Sequence, residues 1–156
     1  MRTLSKLLNR FARSTSGTAT IETVIALPLA ISLMVGGIEF GRLFSAYTTA
    51  DKSMRSAARY LARVPEVGVC TWGLTNARNL AMYGMTSPPA GTQPLIAGWT
   101  APATISLSAP ACGSFGKAAV LHLSADVPFE VSMLTAIGLP NHYTLTVQHE
   151  ERHIGE

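Results

Sequence analysis

The residue pattern most directly tied to a known reaction lies near the end of the chain. His149, Glu150 and His153 complete the motif H-E-x-x-H. In zinc proteases this motif places two histidines one helical turn apart, with the glutamate as general base. Here it follows an alternating strand pattern, and a third ligand would have to come from His122 or His142. We therefore predict no catalytic residue, metal site or cofactor, and keep a membrane-tethered extracytoplasmic metal-dependent hydrolase as the alternative function.

Two cysteines, Cys70 and Cys112, are the only thiols of the chain. If this part of the chain lies outside the cytoplasm, a disulfide between them is expected, because oxidising compartments preserve such bonds. The alternative is a pair of unpaired, buried thiols.

A single acid, Glu22, lies inside an apolar stretch. No charged residue occurs from Thr23 to Ile38, and a carboxylate within an apolar membrane helix costs ~3 kcal/mol on insertion scales. One interpretation is a local cation as partner, which a cut after Gly17 would create as the α-amino group of Thr18. The other is an interfacial glutamate whose carboxylate reaches the lipid headgroups.

The basic residues that precede the apolar stretch account for the positive charge of the chain. Arg2, Lys6, Arg10 and Arg13 come before Ser14 with no acid among them. Because the remainder is close to neutral, the basic isoelectric point does not indicate nucleic-acid binding.

Three interpretations of this basic leader compete. It is Arg-rich, Ser-rich and acid-poor, as a mitochondrial presequence is, which would make the chain an organellar membrane protein. A secretory signal peptide would need a small-residue cleavage site after the apolar region, and none is clear. A cut at Gly17 would instead leave the apolar stretch in the mature protein with the basic residues in the cytoplasm. We favour the third.

The sequence from Gly17 to Glu22 fits the type IV prepilin pattern of a basic leader, Gly, four residues, Glu and an apolar helix. The longer string to Arg42 resembles the TadE-like family of the tight-adherence (Flp) pilus machinery. The matching positions are Gly17, Glu22, Pro28 and Glu39-Phe40-Gly41-Arg42, and the segment Ala57-Ala58-Arg59-Tyr60 is also similar. Thr23 departs from the family, which usually has an aromatic or aliphatic residue there.

The resemblance implies a minor pseudopilin, a structural subunit of a Tad/Flp type IV-like pilus or secretion apparatus, since the major pilins of this system are much shorter. It implies cleavage between Gly17 and Thr18 by prepilin peptidase. Its other partners would be pilins or pseudopilins, inner-membrane pilus assembly proteins and the lipid bilayer, with no nucleic acid. The chain would cross the bacterial inner membrane once, with a cytoplasmic N-terminus and a periplasmic or extracellular C-terminal domain, beside or within the pilus.

Several helix positions are expected to serve assembly. Glu22 would help to set subunit register, and Pro28 should loosen one helical turn because it lacks an N–H group. Gly37 and Gly41 form a small-xxx-small pair that allows close approach of a partner helix. Glu39 and Arg42 are three residues apart and can pair at the membrane surface.

Beyond Arg42 the helix is predicted to become amphipathic and to end by Pro65. The predicted packing face is Leu43, Phe44, Tyr47, Met54, Ala57, Ala58 and Leu61. The opposite stripe is basic: Lys52, Arg55, Arg59 and Arg63.

The remaining sequence predicts a short helix and three strands. The helix is Leu74–Tyr83, stopped by Gly84, and the strands cover residues 104–108, 118–127 (interrupted by Pro128) and 143–149. Residues 133–139 are apolar and ambiguous. The expected fold is α+β and pilin-like: a leader at 1–17, a long helix at 18–63 that is transmembrane and then amphipathic, and a small antiparallel β domain at 64–156.

Overall fold

The structure is a computed structural model that describes residues 16–109, 119–131, 138 and 141–155. The chain divides into two compact units, Met1–Ile38 and Glu39–Glu156. Residues 1–15 of the leader and most of the ambiguous 133–139 stretch lie outside the described residues. The predicted α+β class is confirmed, since a long N-terminal helix is followed by a small antiparallel sheet.

Helix α1 extends from Ser16 to Leu61. In the second unit its buried side chains recur at helical spacing: Ala50, Met54, Ala57, Ala58 and Leu61. The helix ends in a turn in which Val64 donates its N–H to the Leu61 carbonyl. Pro65 then begins a single turn, α2 (Glu66–Gly68), so the predicted end by Pro65 is confirmed.

The predicted packing face was wrong at Phe44 and Tyr47, which are both exposed. In this part of α1 the side that faces the rest of the domain borders a recess, which is lined by Ala46, Ile96 and Phe129. Phe44 and Tyr47 lie to one side of that recess. Sequence periodicity shows which residues share a face, but not how far along the helix the rest of the domain covers that face.

The sheet has three antiparallel strands in the order β1-β2-β3. They are β1 (Ile105–Ser108), β2 (Val120–Glu130) and β3 (His142–Arg152). Alternate residues of β2 face the core, among them Leu121, Leu123, Ala125 and Val127, as the alternation predicted. These side chains join Met54 and Leu61 of α1 in one hydrophobic cluster, which also holds the buried Trp99.

The predicted interruption at Pro128 was wrong, because β2 continues through it to Glu130. The register explains why this proline is tolerated. Strand β1 pairs with β2 only from His122 to Ala125, whereas Pro128 lies opposite Thr144 of β3. Beyond Ala125 the β1-side edge of β2 is therefore not paired with β1, and proline is accepted at such an edge.

The predicted helix is confirmed as α3 (Leu74–Tyr83), and Gly84 caps it at φ 74°. That left-handed conformation favours glycine, which explains why the helix stops there. A kinked π-helical segment, Val69–Gly73, joins α2 to α3. Arg78 of α3 donates from Nε and Nη2 to the Ile105 carbonyl at 3.1 and 2.9 Å, which ties this helix to β1.

The residues after β3 cap the end of α1. The N–H groups of Ile154 and Gly155 donate to the Ala62 carbonyl at 2.8 and 3.0 Å. His153 Nε2 donates to the Val64 carbonyl at 2.8 Å. The first two bonds satisfy the carbonyl at the end of the helix, which has no intrahelical donor, and the third satisfies a carbonyl of the turn that follows.

Candidate assembly segment

The part of α1 in the first unit is apolar on all sides. Its large aliphatic side chains are exposed: Ile21, Val24, Ile25, Leu27, Leu29, Ile31, Leu33 and Met34. By length and composition, Ala19–Leu61 is the one helix among the described residues that could cross a membrane. A helix with apolar residues all round is expected to be covered by lipid or by other helices.

The start of α1 contains the three positions tied to processing and register. Gly17 and Thr18 both lie in the helix, and Gly17 is exposed. Glu22 is also exposed, four residues after Thr18 and therefore about one helical turn along the same face. Their roles in processing and register stay predictions.

Two hydroxyl groups in the apolar part of α1 bond to the helix itself. Ser32 Oγ donates to the Pro28 carbonyl at 2.8 Å, and Thr23 Oγ1 donates to the Ala19 carbonyl at 2.8 Å. Such bonds to the carbonyl four residues earlier let Ser and Thr lie in an apolar setting, and they often accompany helix bending. The polar residue at position 23 is therefore compatible with an apolar helix.

Glu39 and Arg42 form the predicted pair. Arg42 Nη1 donates to Glu39 Oε2 at 3.0 Å, and the Glu39 side chain is only 3% exposed, whereas that of Arg42 is half exposed. A charge-assisted bond of this length stabilises a carboxylate that has lost most of its water. The pairing is confirmed by the geometry, and its location at a membrane surface stays a prediction.

Small and aromatic residues are exposed side by side around position 40. A Cβ built at Gly37 or at Gly41 would have no neighbouring atom within 4 Å. Phe40, Phe44 and Tyr47 recur at helical spacing and are all exposed. This part of α1 therefore has open room beside its glycines and large apolar side chains without cover from the described residues.

Cys70 is half-buried and is disulfide-bonded. Cys112 lies outside the described residues, so the predicted Cys70–Cys112 pairing stays a proposal.

The two histidines of the H-E-x-x-H motif do not face a common site. His149 lies within β3, and its Nε2 is 3.5 Å from Glu151 Oε1. His153 lies beyond the strand, is buried, and donates to Val64. Glu150 pairs with His122 Nδ1 at 2.9 Å on the outer face of the sheet. The motif residues here contact the neighbouring strand and the turn after α1, and they do not form the helical arrangement of zinc proteases.

Comparison with known proteins gives one match. The model of the family described as TadE-like protein matches residues 17–59. Over these residues, 43 of the 156 in the chain, the sequence is similar to TadE-like proteins. No curated protein and no solved structure is significantly similar to the chain.

The TadE-like segment, residues 17–59, contains every helix position singled out above from Gly17 to Arg42. It also extends into the buried stripe at Ala57 and Ala58. The match and the long apolar helix fit a membrane-anchored protein associated with a Tad pilus.

Other structural roles were missed by sequence reasoning. The Ser32 hydroxyl could have been found from its position four residues after Pro28. The capping role of His153 could not, because it depends on a contact with Val64, 89 residues away in the sequence.

Proposed function

We propose that the chain is a minor pseudopilin of a Tad/Flp-type pilus or secretion apparatus, and that it acts by assembly rather than by catalysis. The observation that carries the proposal is the exposed, all-round apolar part of α1 within the segment that matches the TadE-like family. Burying such a surface releases roughly 25 cal/mol per Å² of apolar area, so a helix of this kind is stable only in lipid or against other helices. Both surroundings occur in the life of a pilin: the membrane before assembly and the helical bundle afterwards.

Processing is the first step of the proposed mechanism. Prepilin peptidase would cut between Gly17 and Thr18, removing the basic leader and leaving Thr18 as the new N-terminus. The basic leader favours a cytoplasmic N-terminus, which puts residues 39–156 outside the cytoplasm. Glycine, with no side chain, suits a cut there because it lets a peptidase reach the backbone closely.

Glu22 sets the register in this proposal. After cleavage, the α-amino group of Thr18 is a cation about one helical turn from the Glu22 carboxylate. In an apolar environment the two groups attract strongly, either within one subunit or between neighbours. We expect Glu22→Ala to leave cleavage unchanged and to prevent incorporation of the subunit into pili, measured by immunoblotting of sheared pilus fractions. Normal incorporation of this variant would contradict the register role.

The exposed surface around Gly41 is the second assembly element. Gly37 and Gly41 leave room for the backbone of a partner helix, and Phe40, Phe44 and Tyr47 offer side chains to pack against it. Other pilins, pseudopilins and inner-membrane assembly proteins are the proposed partners. The Glu39–Arg42 pair would lie where α1 leaves the apolar part of the bilayer.

The experiment that tests the proposal is the intact mass of the membrane-extracted protein, with and without co-expressed prepilin peptidase. We expect the peptidase to remove residues 1–17 and expect Gly17→Leu to abolish the cut. Gly36→Ala is the matched control, because position 36 lies in the same helix, has open space around it, and is remote from the cut. Retention of the leader, or a cut elsewhere, would overturn the proposal.

A further inference from the structure

A cleft lies beside the last turn of α1, within the second unit. It has a volume of about 510 Å³ and is bordered by α1 and by the turns that follow it. Its walls include Arg59, Tyr60, Arg63, Val64, Pro65 and Trp72. We call it the helix-end cleft. A space of this size accommodates one or two side chains of a partner.

Trp72 gives the helix-end cleft an exposed aromatic wall. The side chain is 51% exposed, whereas the other tryptophan, Trp99, is fully buried in the core. A Cβ built at Gly68 would come within 2.6 Å of the Trp72 ring. Because glycine has no side chain, the indole lies directly over the backbone at position 68 and is held there at the surface. Val67, the residue before Gly68, is also highly exposed.

Arginines give the cleft a positive charge. Arg59 and Arg63 line it, and they also line an adjoining recess together with Arg152 and Glu151. The Nε atom of Arg59 is 3.5 Å from Glu151 Oε1, and both side chains are partly exposed, so this pair contributes little. Among the described residues that line these two recesses, three guanidinium groups accompany one carboxylate, that of Glu151, so the lining carries a surplus of positive charge.

The chemistry of the walls selects the kind of partner. Trp, Tyr and Arg are the residues that most often dominate binding energy in protein interfaces. A free phosphate would contact the guanidinium groups but would leave Trp72, Tyr60 and Pro65 uncovered. If α1 leaves the bilayer near Glu39, as proposed above, a lipid headgroup is disfavoured, because Arg59 is twenty residues further along α1, which is roughly 30 Å in a helix. An acidic peptide segment can contact both the arginines and the aromatic side chains of the cleft.

We propose that the helix-end cleft binds an acidic peptide segment of a partner protein. A carboxylate of the segment would be held by Arg59 and Arg63, and an adjacent apolar side chain would pack on Trp72. The proposal goes beyond the assembly role of the apolar helix and does not depend on cleavage at Gly17.

The test uses the full chain in detergent micelles and its tryptophan emission, to which Trp72 contributes as the exposed tryptophan and Trp99 as the buried one. The probe is a short glutamate-rich peptide that also carries leucine and lacks tryptophan. Its matched counterpart has glutamine in place of every glutamate. We expect the acidic peptide to change the Trp72 emission in a saturable way and the glutamine peptide to bind at least about tenfold more weakly, since a charge-assisted contact is lost.

Variants locate the binding on the protein. Arg63→Gln should weaken binding of the acidic peptide about tenfold, because one guanidinium is removed from the cleft. Lys52→Gln is the matched control: this lysine is exposed on the same basic stripe of α1 but does not line the cleft. It should change the affinity by less than about twofold, as for a distant surface charge. Trp72→Ala should weaken binding measured by calorimetry, which does not need the fluorophore.

Three outcomes would overturn the proposal. Equal affinity for the acidic and the glutamine peptide would remove the role of the arginines. Equal weakening by Arg63→Gln and Lys52→Gln would indicate general charge attraction rather than this cleft. If phosphatidylglycerol vesicles or inorganic phosphate gave the same Arg63-dependent change and the peptide gave none, the site would belong to a lipid headgroup or a free anion. Circular dichroism of each variant checks that it is folded.

Discussion

Helix α1 has two regions that share one helical backbone but differ in the burial of their apolar side chains. Residues 16–38 expose Leu29 and Leu33, whereas residues 39–61 bury Met54 and Leu61 completely. Both regions carry large apolar side chains at helical spacing. The difference lies in what surrounds them, because the second region packs on the chain's own sheet, whereas the large side chains of the first are exposed. A single helix can therefore have two regions that require different surroundings.

The largest expected effect on stability comes from a leucine-to-alanine substitution, which should have different consequences in the two regions. Leu61→Ala should lower the free energy of unfolding by about 2–5 kcal/mol, because it removes a fully buried side chain and leaves a cavity. Leu33→Ala is the matched control in the other region, where the side chain is 70% exposed, and should change it by less than about 0.5 kcal/mol. Urea titration in micelles, followed by tryptophan emission, measures both, because unfolding exposes the buried Trp99. Equal losses would show that the first region also packs on the domain.

A smaller effect is expected where the end of the chain caps the second region of α1. His153→Ala removes the donor to the buried Val64 carbonyl and should cost about 1–3 kcal/mol. His149→Ala changes a residue of the same motif whose ring is 3.5 Å from the partly exposed Glu151 carboxylate, and should cost less than about 0.5 kcal/mol.

The same two variants test the hydrolase alternative. If His149 and His153 were paired zinc ligands, both substitutions would reduce zinc binding to the same low level while leaving stability similar. Zinc calorimetry on the two variants and on the unaltered chain distinguishes these outcomes from a capping role.

Local signals in the sequence explain most of what could be predicted about the fold. Gly84 ends the short helix because its left-handed backbone conformation favours glycine. The alternation at Leu121 and Leu123 predicted the buried face of β2. The errors came where contacts between distant parts of the sequence determine the structure. Pro128 is tolerated in a strand only because β1 ends its pairing at Ala125, which no local pattern in β2 reveals.

The candidate site likewise has features that the sequence predicted and features that it did not. The Glu39–Arg42 pair follows from helical spacing and was predictable. The helix-end cleft was not, because Trp72 and Arg63 come together only through the turn at Pro65 and the absence of a side chain at Gly68. Sequence periodicity gives the neighbours along one helix, whereas a cleft needs the path of the chain between elements.

The smallest expected effect on stability concerns Phe44, which sequence periodicity placed in the packing face and which is 62% exposed. Phe44→Ala should change the free energy of unfolding by less than about 0.5 kcal/mol, because little of the side chain leaves water when the domain folds. Met54→Ala, ten residues further along α1 and fully buried, is the matched control and should cost about 2–5 kcal/mol. A loss above about 1 kcal/mol for Phe44→Ala would place this ring in the domain core and remove it from the proposed assembly surface. A neutral result leaves a large exposed aromatic ring on α1 that contributes nothing to folding, and its natural role is then contact with a partner helix or with lipid.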